Sequence, residues 1–207
     1  MFANIFLSLT AAAMLTCAGS LWIDKLYLTH SDLTFPEDIP RRARLRKPIL
    51  FLALTAFYFK ILSSTPVPEN IFLIAAISLL MLMMFTDFEQ YMLFDAMTLP
   101  LAIIGAIYSW QMHLNLFNHI IAALIGGGAF LLLAIITKGA LGGGDIKLIA
   151  ALGLWFGCEK LLNVILIGSI AGGMAALVML ITKKKDHSSY FAYGPYFILT
   201  AVYFLLK

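Results

Sequence analysis

The chain has few cysteines and few charged residues, and each scarcity excludes a class of protein. Its two cysteines, Cys17 and Cys158, lie far apart and outside any Cys-x-x-Cys or Cys/His spacing, which excludes a cysteine-based zinc site and a disulfide framework. Charged residues make up only 12% of the 207 residues, about half the share usual in a soluble domain. A soluble domain of this length is therefore excluded.

Apolar sequence takes up most of the chain. Hydrophobic residues make up 62% of it, the mean hydropathy is +0.95, and apolar runs extend from residue 2 to residue 206. The sequence therefore predicts an all-α, polytopic membrane bundle of about eight segments, forming a single integral membrane domain over residues 1–207. Some segments are shorter than the ~20 residues that a full crossing needs. The predicted segments are roughly 2–23, 48–64, 70–86, 96–112, 120–137, 147–157, 161–182 and 194–206.

Basic residues predict the orientation, because cytoplasmic loops carry an excess of Lys and Arg. With the short basic loop 24–47 in the cytoplasm, eleven of the fourteen Lys and Arg are cytoplasmic, and both termini are outside. We interpret the first segment as a retained, reverse-oriented anchor, since no basic residue precedes Lys25. The eleven are Lys25, Arg41, Arg42, Arg44, Arg46, Lys47, Lys138, Lys147, Lys183, Lys184 and Lys185.

Two polar regions at membrane boundaries have simple interpretations. The basic run Arg41–Lys47 is interpreted as a topology-setting patch that contacts anionic lipid headgroups, with substrate or partner contact as the alternative. His113 and His119 flank an outer loop and are interpreted as interface anchors.

Aspartates at the ends of apolar stretches are the strongest indication of function. A carboxylate beside hydrocarbon is costly, so such residues tend to mark chemistry or a transport path. Asp87 follows one apolar stretch, and Asp95 is predicted to be the N-cap of the next helix. If the segment is helical, these two are about 12 Å apart along the axis, too far to share one water. A partner for Asp87 must come from elsewhere.

Asp145 is the natural partner. It follows Gly142-Gly143-Gly144, which predicts a tight turn that opens a helix at Asp145 and admits another backbone closely. Taken alone, a loop and a helix cap explain this run. Two carboxylates a few ångströms apart titrate as a coupled dyad: the ionised member activates water while the protonated member donates to a substrate carbonyl. This is aspartic-protease chemistry, and the residues leave open which aspartate is the base.

The two aspartate regions resemble the signature blocks of the type IV prepilin peptidases, membrane aspartic proteases of the Gly-x-Gly-Asp type. The similarity extends to Tyr193-Gly194-Pro195-Tyr196 and so covers the chain from about residue 70. The first block reads Thr86-Asp87, then Leu93-Phe94-Asp95-Ala96-Met97-Thr98-Leu99-Pro100, and the second reads Leu141-Gly142-Gly143-Gly144-Asp145-Ile146-Lys147-Leu148-Ile149-Ala150-Ala151-Leu152-Gly153.

The resemblance implies that Asp87 and Asp145 are catalytic and that the enzyme lies in the bacterial inner membrane, with its active site facing the cytoplasm. It implies as substrate the short basic leader of type IV prepilins or type II secretion pseudopilins, which is followed by a hydrophobic helix lying among membrane lipid. Gly142, Gly143, Gly144, Lys147 and Asp95 would then border the substrate. No nucleic-acid partner is expected.

The chain departs from the family pattern in two places. Position 94 is Phe where the family usually has Pro. Longer members insert a cytoplasmic domain with two Cys-x-x-Cys pairs, associated with methylation by S-adenosylmethionine, whereas here residues 24–47 contain no cysteine. We therefore expect proteolysis without a cofactor and no zinc, and we leave S-adenosylmethionine-dependent methylation open.

Two alternatives stay open at the level of sequence. One is a multi-span ion- or proton-coupled transporter that uses the membrane-edge carboxylates, although we find no inverted repeat and no acid in the middle of a span. The other is a peptidase with the same two aspartates but a different substrate, as in the preflagellin or presenilin-like peptidases.

Overall fold

The computed structural model of the chain describes residues 2–138, 141–182 and 192–207. Throughout these ranges the regular secondary structure is helical and no strand occurs, so the predicted all-α class is confirmed. A short 3₁₀ turn, Ala43–Leu45, joins α2 to α3. The helices are α1 Phe2–Thr29, α2 Ile39–Arg42, α3 Arg46–Ser64, α4 Glu69–Gln90, α5 Asp95–Gln111, α6 Leu116–Ile136, α7 Gly143–Ile181 and α8 Gly194–Leu205.

Four of the described helices, α1, α4, α6 and α7, are long and apolar enough to cross a membrane. Helix α8 is apolar but shorter. Large apolar side chains point outward, as at Leu124 and Ile136, while polar Ser109 is fully buried. This inside-out distribution suits a lipid solvent, in which polar groups must find partners inside the protein. The count of about eight spans stays a prediction.

By compactness the chain divides into two units, the first ending at Met92 and the second running from Leu93 to Leu205. In the first unit, α1 and α4 both pack against α3. The hydroxyls of Tyr58 on α3 and Ser78 on α4 lie 2.5 Å apart in the interior, and Gly19 of α1 leaves room for Leu82 of α4.

In the second unit, α7 packs against α5, α6 and α8. Its backbone breaks at Gly157, where φ is +65° and ψ is −179°, a conformation that side-chain-bearing residues rarely adopt. Helix α7 therefore has two limbs, residues 143–156 and 158–181, and the predicted end of one segment at residue 157 is confirmed.

The two limbs fold back on each other. A Cβ on Gly126 of α6 would lie 3.1 Å from Ile149 on the first limb and 2.7 Å from Leu161 on the second. In a straight helix, residues 149 and 161 would be about 18 Å apart. Both limbs therefore contact the same point of α6.

The predicted loop 24–47 contains helix, because α1 continues to Thr29 and residues 39–45 form helical turns. Its position in the cytoplasm stays a prediction. Two other sequence interpretations need correction. Arg46 is buried and so does not belong to an exposed lipid-facing patch. His119 is not an interface anchor: it lies inside α6 with its Nδ1 2.9 Å from the hydroxyl of Ser109. The predicted cytoplasmic residues Lys183, Lys184 and Lys185 lie outside the described residues.

Candidate active site

Asp87 lies in the last turn of α4 and is only 5% exposed. The helix continues to Gln90, about one turn beyond the predicted end, and stops at Tyr91, whose φ of 54° is left-handed. The Tyr91 amide donates a hydrogen bond to the Asp87 carbonyl at 2.9 Å, which closes this turn. A carboxylate near a helix C-terminus opposes the helix dipole, so helix stabilisation does not explain its presence.

An ionic cluster binds α4 two residues beyond Asp87, and its members were missed as site residues by the sequence analysis. The guanidinium of Arg46 donates to Glu89 Oε2 at 2.9 Å, to the Ser20 hydroxyl at 3.0 Å and to the carboxylate of Asp24. The Tyr27 hydroxyl donates to the same Glu89 oxygen at 3.0 Å. One cation therefore joins three helices, α1, α3 and α4.

A second set of contacts closes the end of α4. Arg42 Nη1 donates to the carbonyls of Phe88 at 3.2 Å and Glu89 at 2.8 Å, and its guanidinium lies 3.6 Å from the centroid of the Phe35 ring. The Gln90 side chain accepts from the Phe35 amide at 2.8 Å and donates to the Phe35 carbonyl at 3.1 Å. The residues that precede α3 thus bind three successive residues of the helix end.

Asp95 is the first residue of α5 and not its N-cap, which corrects the prediction. The N-cap is Phe94, which is in an extended conformation and makes no side-chain capping bond. Its ring is buried, so apolar packing rather than a polar cap determines where α5 starts. The Asp95 carboxylate instead accepts from Lys147 Nζ at 2.7 and 2.8 Å, in a pair whose two side chains are each 56% exposed.

Asp145 lies in the first turn of α7, as its position after the glycines predicted. The helix begins at Gly143 with Gly142 as an extended N-cap, so Asp145 is its third residue. The Asp145 amide donates a hydrogen bond to the Gly142 carbonyl at 3.1 Å. A carboxylate at this position is favoured by the positive end of the helix dipole.

The three glycines have different surroundings. Gly142 and Gly143 are exposed, and a Cβ on Gly143 would meet nothing within 4 Å. Gly144 faces Leu93, whose Cβ would lie 2.8 Å from an added Cβ. The first two glycines therefore leave an open approach to the start of α7, while the third permits close packing of the chain that leads into α5.

The second unit brings together Asp95, Lys147 and the turn that carries Asp145, and Asp87 belongs to the first unit. The pairing of Asp87 with Asp145 stays a prediction. In the described ranges, no group of three or more His, Cys, Asp or Glu side chains is placed to hold a metal ion.

A signal for the missed cluster was present in the sequence. Asp24 and Glu89 are acids predicted at the same membrane boundary as an arginine-rich run. Because a lone acid or a lone arginine beside hydrocarbon is costly, such residues are expected to pair. The sequence analysis paired Asp87 only with other aspartates, Asp95 and Asp145, and did not pair an acid with an arginine.

The stretch of the chain that carries these residues is similar to known proteins. The model of the type IV leader peptidase family matches residues 74–177, which include Asp87, Asp95, Asp145 and Lys147. No solved structure matches the chain.

Several curated relatives are named prepilin leader peptidase/N-methyltransferase. The protein of Xanthomonas campestris pv. campestris is 33% identical over 119 residues, covering 53% of this chain and 40% of the relative. That of Neisseria gonorrhoeae is 36% identical over 117 residues, covering 54% and 40%. That of Legionella pneumophila is 32% identical over 143 residues, covering 65% and 49%.

The matched part of the chain thus spans less than half the length of these three relatives. The family match covers residues 74–177 of the 207, which is half of the chain, and contains both aspartate regions. This chain belongs to the type IV leader peptidase family.

Proposed function

We propose that this protein is an intramembrane aspartic endopeptidase that removes the short basic leader from type IV prepilins or type II secretion pseudopilins. The cut is made at the cytoplasmic face of the bacterial inner membrane. The observation that carries the proposal is that the leader peptidase match includes Asp87 and Asp145 together. The names of the relatives support the same substrate class.

The proposed reaction uses the two carboxyl groups as a coupled acid and base. The ionised carboxylate takes a proton from water, whose oxygen attacks the carbonyl carbon of the scissile peptide bond. The protonated carboxyl gives its proton to the carbonyl oxygen, so that a tetrahedral diol forms. When the carbon–nitrogen bond breaks, the nitrogen takes a proton from the carboxyl that had deprotonated water, and a diol hydroxyl gives its proton to the other carboxylate, which restores the starting dyad. The leader leaves with a carboxylate, and the pilin has a new amino terminus.

The surroundings of each aspartate suit this chemistry. Asp87 is buried, so water competes little with the substrate around it. Asp145 stands in the first turn of α7 beside Gly142 and Gly143, which leave space for an extended backbone. The first amide groups of a helix have no partner within the helix and are suited to bind a peptide carbonyl.

The substrate would be bordered by Gly142, Gly143, Gly144, Lys147 and Asp95. The Lys147–Asp95 pair is exposed, and it stands two residues along α7 from Asp145. Exposed charged groups beside a site determine how a charged peptide is aligned in it more than how tightly the peptide binds. The hydrophobic helix behind the leader would lie among lipid.

We assign no step to a metal or a cofactor. Peptide hydrolysis by two carboxyl groups needs no metal, and the two cysteines lie apart in α1 and α7. The word methyltransferase in the names of the relatives describes those proteins. A purified protein supplied with S-adenosylmethionine and cleaved pilin would reveal methylation as a mass increase of the new amino terminus.

The proposal is tested with purified protein in proteoliposomes and a panel of prepilin-type peptides, with the cut located by mass spectrometry. We expect one cut between the basic leader and the hydrophobic segment. Asp87→Asn and Asp145→Asn should each abolish cleavage while the protein still inserts. Asp38→Asn is the matched control, because Asp38 is exposed and makes no side-chain capping bond.

Substantial cleavage by either active-site variant would remove that residue from the proposed dyad. The alternative of an ion-coupled transporter is not favoured, because the matching family consists of peptidases. Ion uptake by the proteoliposomes without any peptide cleavage would reverse this preference.

A further inference from the structure

We propose that the ionic cluster formed by the buried pair Arg46 and Glu89 and the half-exposed Asp24 positions Asp87 for the cleavage reaction. The inference rests on the proposed function and adds positioning residues to it. Asp24 and Arg46 precede residues 74–177, so the family match does not extend to them. Every contact used below lies within the first unit.

The cluster fixes α4 at a point two residues beyond Asp87. Arg46 is 3% exposed and Glu89 is 2% exposed, and their charged groups are 2.9 Å apart. Arg46 also binds Asp24 and Ser20 of α1, and Tyr27 of α1 binds Glu89. The planar guanidinium can satisfy several partners in fixed directions at once, which a lysine cannot do. The end of α4 is thereby fixed against both other helices.

Without such contacts, the turn that carries Asp87 would be expected to fray. The last four carbonyls of a helix lack partners within the helix, and helix ends open first. Here Arg42 binds the carbonyls of Phe88 and Glu89, and Gln90 is bound at both polar ends of its amide by Phe35. Positive charge at a helix C-terminus also offsets the helix dipole. Asp87 is thus held in a turn whose following residues are each bound.

Stability alone is a poor explanation for this cluster. Desolvating a charged pair costs about as much free energy as its attraction returns, so apolar side chains of similar volume often serve stability as well. In the described residues, Glu89 Oε1 is buried without a hydrogen-bond partner. The cluster instead holds the last turn of α4 in one orientation.

The first experiment measures leader cleavage by Glu89→Gln, Arg46→Gln and Arg46→Lys. A positioning role predicts that kcat falls roughly 10- to 100-fold in the two glutamine variants, the loss usual when groups that orient an active-site residue are removed. KM should change by less than about threefold, because substrate contacts are untouched. Arg46→Lys keeps the positive charge but lacks the planar guanidinium. Its kcat should therefore lie between those of Arg46→Gln and the unchanged protein.

Tyr58→Phe is the matched structural control. It removes a buried hydrogen bond between the same two helices, α3 and α4, at Ser78 and so far from Asp87. Thermal unfolding in detergent is recorded for every variant. We expect Tyr58→Phe to lower the melting temperature and leave kcat unchanged.

A second experiment does not depend on proteolysis. Asp87→Cys is made in a chain that also carries Cys17→Ala and Cys158→Ala, and its reaction with a small methanethiosulfonate is timed. Glu89→Gln should speed the reaction severalfold by loosening the turn, and Tyr58→Phe should not. Where Arg46→Gln does not accumulate, Arg42→Gln tests the same turn, since it removes only contacts to backbone carbonyls and rings.

The outcomes separate the inference from the proposed function. Absence of cleavage by the unchanged protein would contradict the proposed function, while the thiol measurement would still decide the positioning role. The inference is overturned if Glu89→Gln and Arg42→Gln keep kcat while Asp87→Asn loses it. It is equally overturned if the thiol rate is the same in Glu89→Gln and Tyr58→Phe.

Discussion

The ammonium group of Lys147 lies 2.7 and 2.8 Å from the two carboxylate oxygens of Asp95, so that the start of α5 is tied to the first limb of α7. Both side chains are 56% exposed. Exposed ion pairs contribute about 0–1 kcal/mol to stability because water screens the charges and the long side chains lose freedom. The pair therefore contributes little to the stability of the fold.

Replacing Lys147 is expected to affect the reaction more than the fold. Lys147→Met should lower the free energy of unfolding by less than about 1 kcal/mol. It should lower kcat/KM for leader cleavage about tenfold, equivalent to about 1.4 kcal/mol. Peptide cleavage and thermal unfolding are measured on the same preparation. Lys160→Met, at an exposed position on the same helix, is the control and should change neither kcat/KM nor the stability. An unaltered kcat/KM in Lys147→Met would remove Lys147 from the proposed substrate site.

At Gly153, α7 lies close against the backbone of α6. A Cβ there would lie 2.5 Å from the Ala123 Cα and 2.7 Å from the Ala122 carbonyl carbon, and backbone cannot move aside as a side chain can. We expect Gly153→Ala to destabilise the protein by at least about 1–3 kcal/mol, the usual effect of overpacking, in thermal unfolding. Gly128→Ala is the matched control, with nothing within 4 Å, and should be neutral or stabilising by up to about 1 kcal/mol. Equal effects at the two glycines would argue against this packing.

Trp155 links the first limb of α7 to α5. Its indole nitrogen donates to the Leu101 carbonyl at 2.8 Å, and its ring stacks on Tyr108 with centroids 5.0 Å apart. Gly105 leaves room for the ring, since a Cβ there would lie 2.5 Å from it. Trp155→Phe keeps the aromatic packing but loses the donor, so we expect a destabilisation of about 0.5–1.5 kcal/mol in thermal unfolding. Trp110→Phe, at an exposed tryptophan, should have no effect, and a matching loss there would contradict the role of the hydrogen bond.

The predicted orientation can be tested by labelling. Ser31 and Leu114 are both exposed, on opposite sides of the membrane by the positive-inside rule. In a chain without native cysteines, Leu114→Cys should react with a membrane-impermeant maleimide in intact spheroplasts. Ser31→Cys should react only after permeabilisation. The reversed pattern would place the two aspartates on the outer side and remove the cytoplasmic site from the proposed function.

Helix boundaries were largely predictable because apolar runs and glycines mark them directly. The apolar stretch before Asp87 and the glycines before Asp145 both predicted helix ends to within a few residues. The start of α5 was missed by one residue, because burial of Phe94 outweighed the capping preference of Asp95. The role of Arg46 could not be read from its neighbours, since its partners are 22 and 43 residues away in the chain. Side-chain burial of this kind depends on which helices pack together, and a local pattern does not contain that information.

The backbone reversal at Gly157 limits how far the first limb of α7 can extend across a membrane. The first limb of α7 has fourteen residues and extends about 21 Å, less than the roughly 30 Å of a hydrocarbon core, so it cannot bridge two aqueous phases. A bend enclosed by lipid has no solvent to satisfy its peptide groups. The Leu154 carbonyl, just before the reversal, lies 2.7 Å from the Ser109 hydroxyl and 2.9 Å from His119 Nδ1. These two side chains bind the carbonyl at the bend as water would bind it in a soluble loop, at the end of the limb opposite to Asp145.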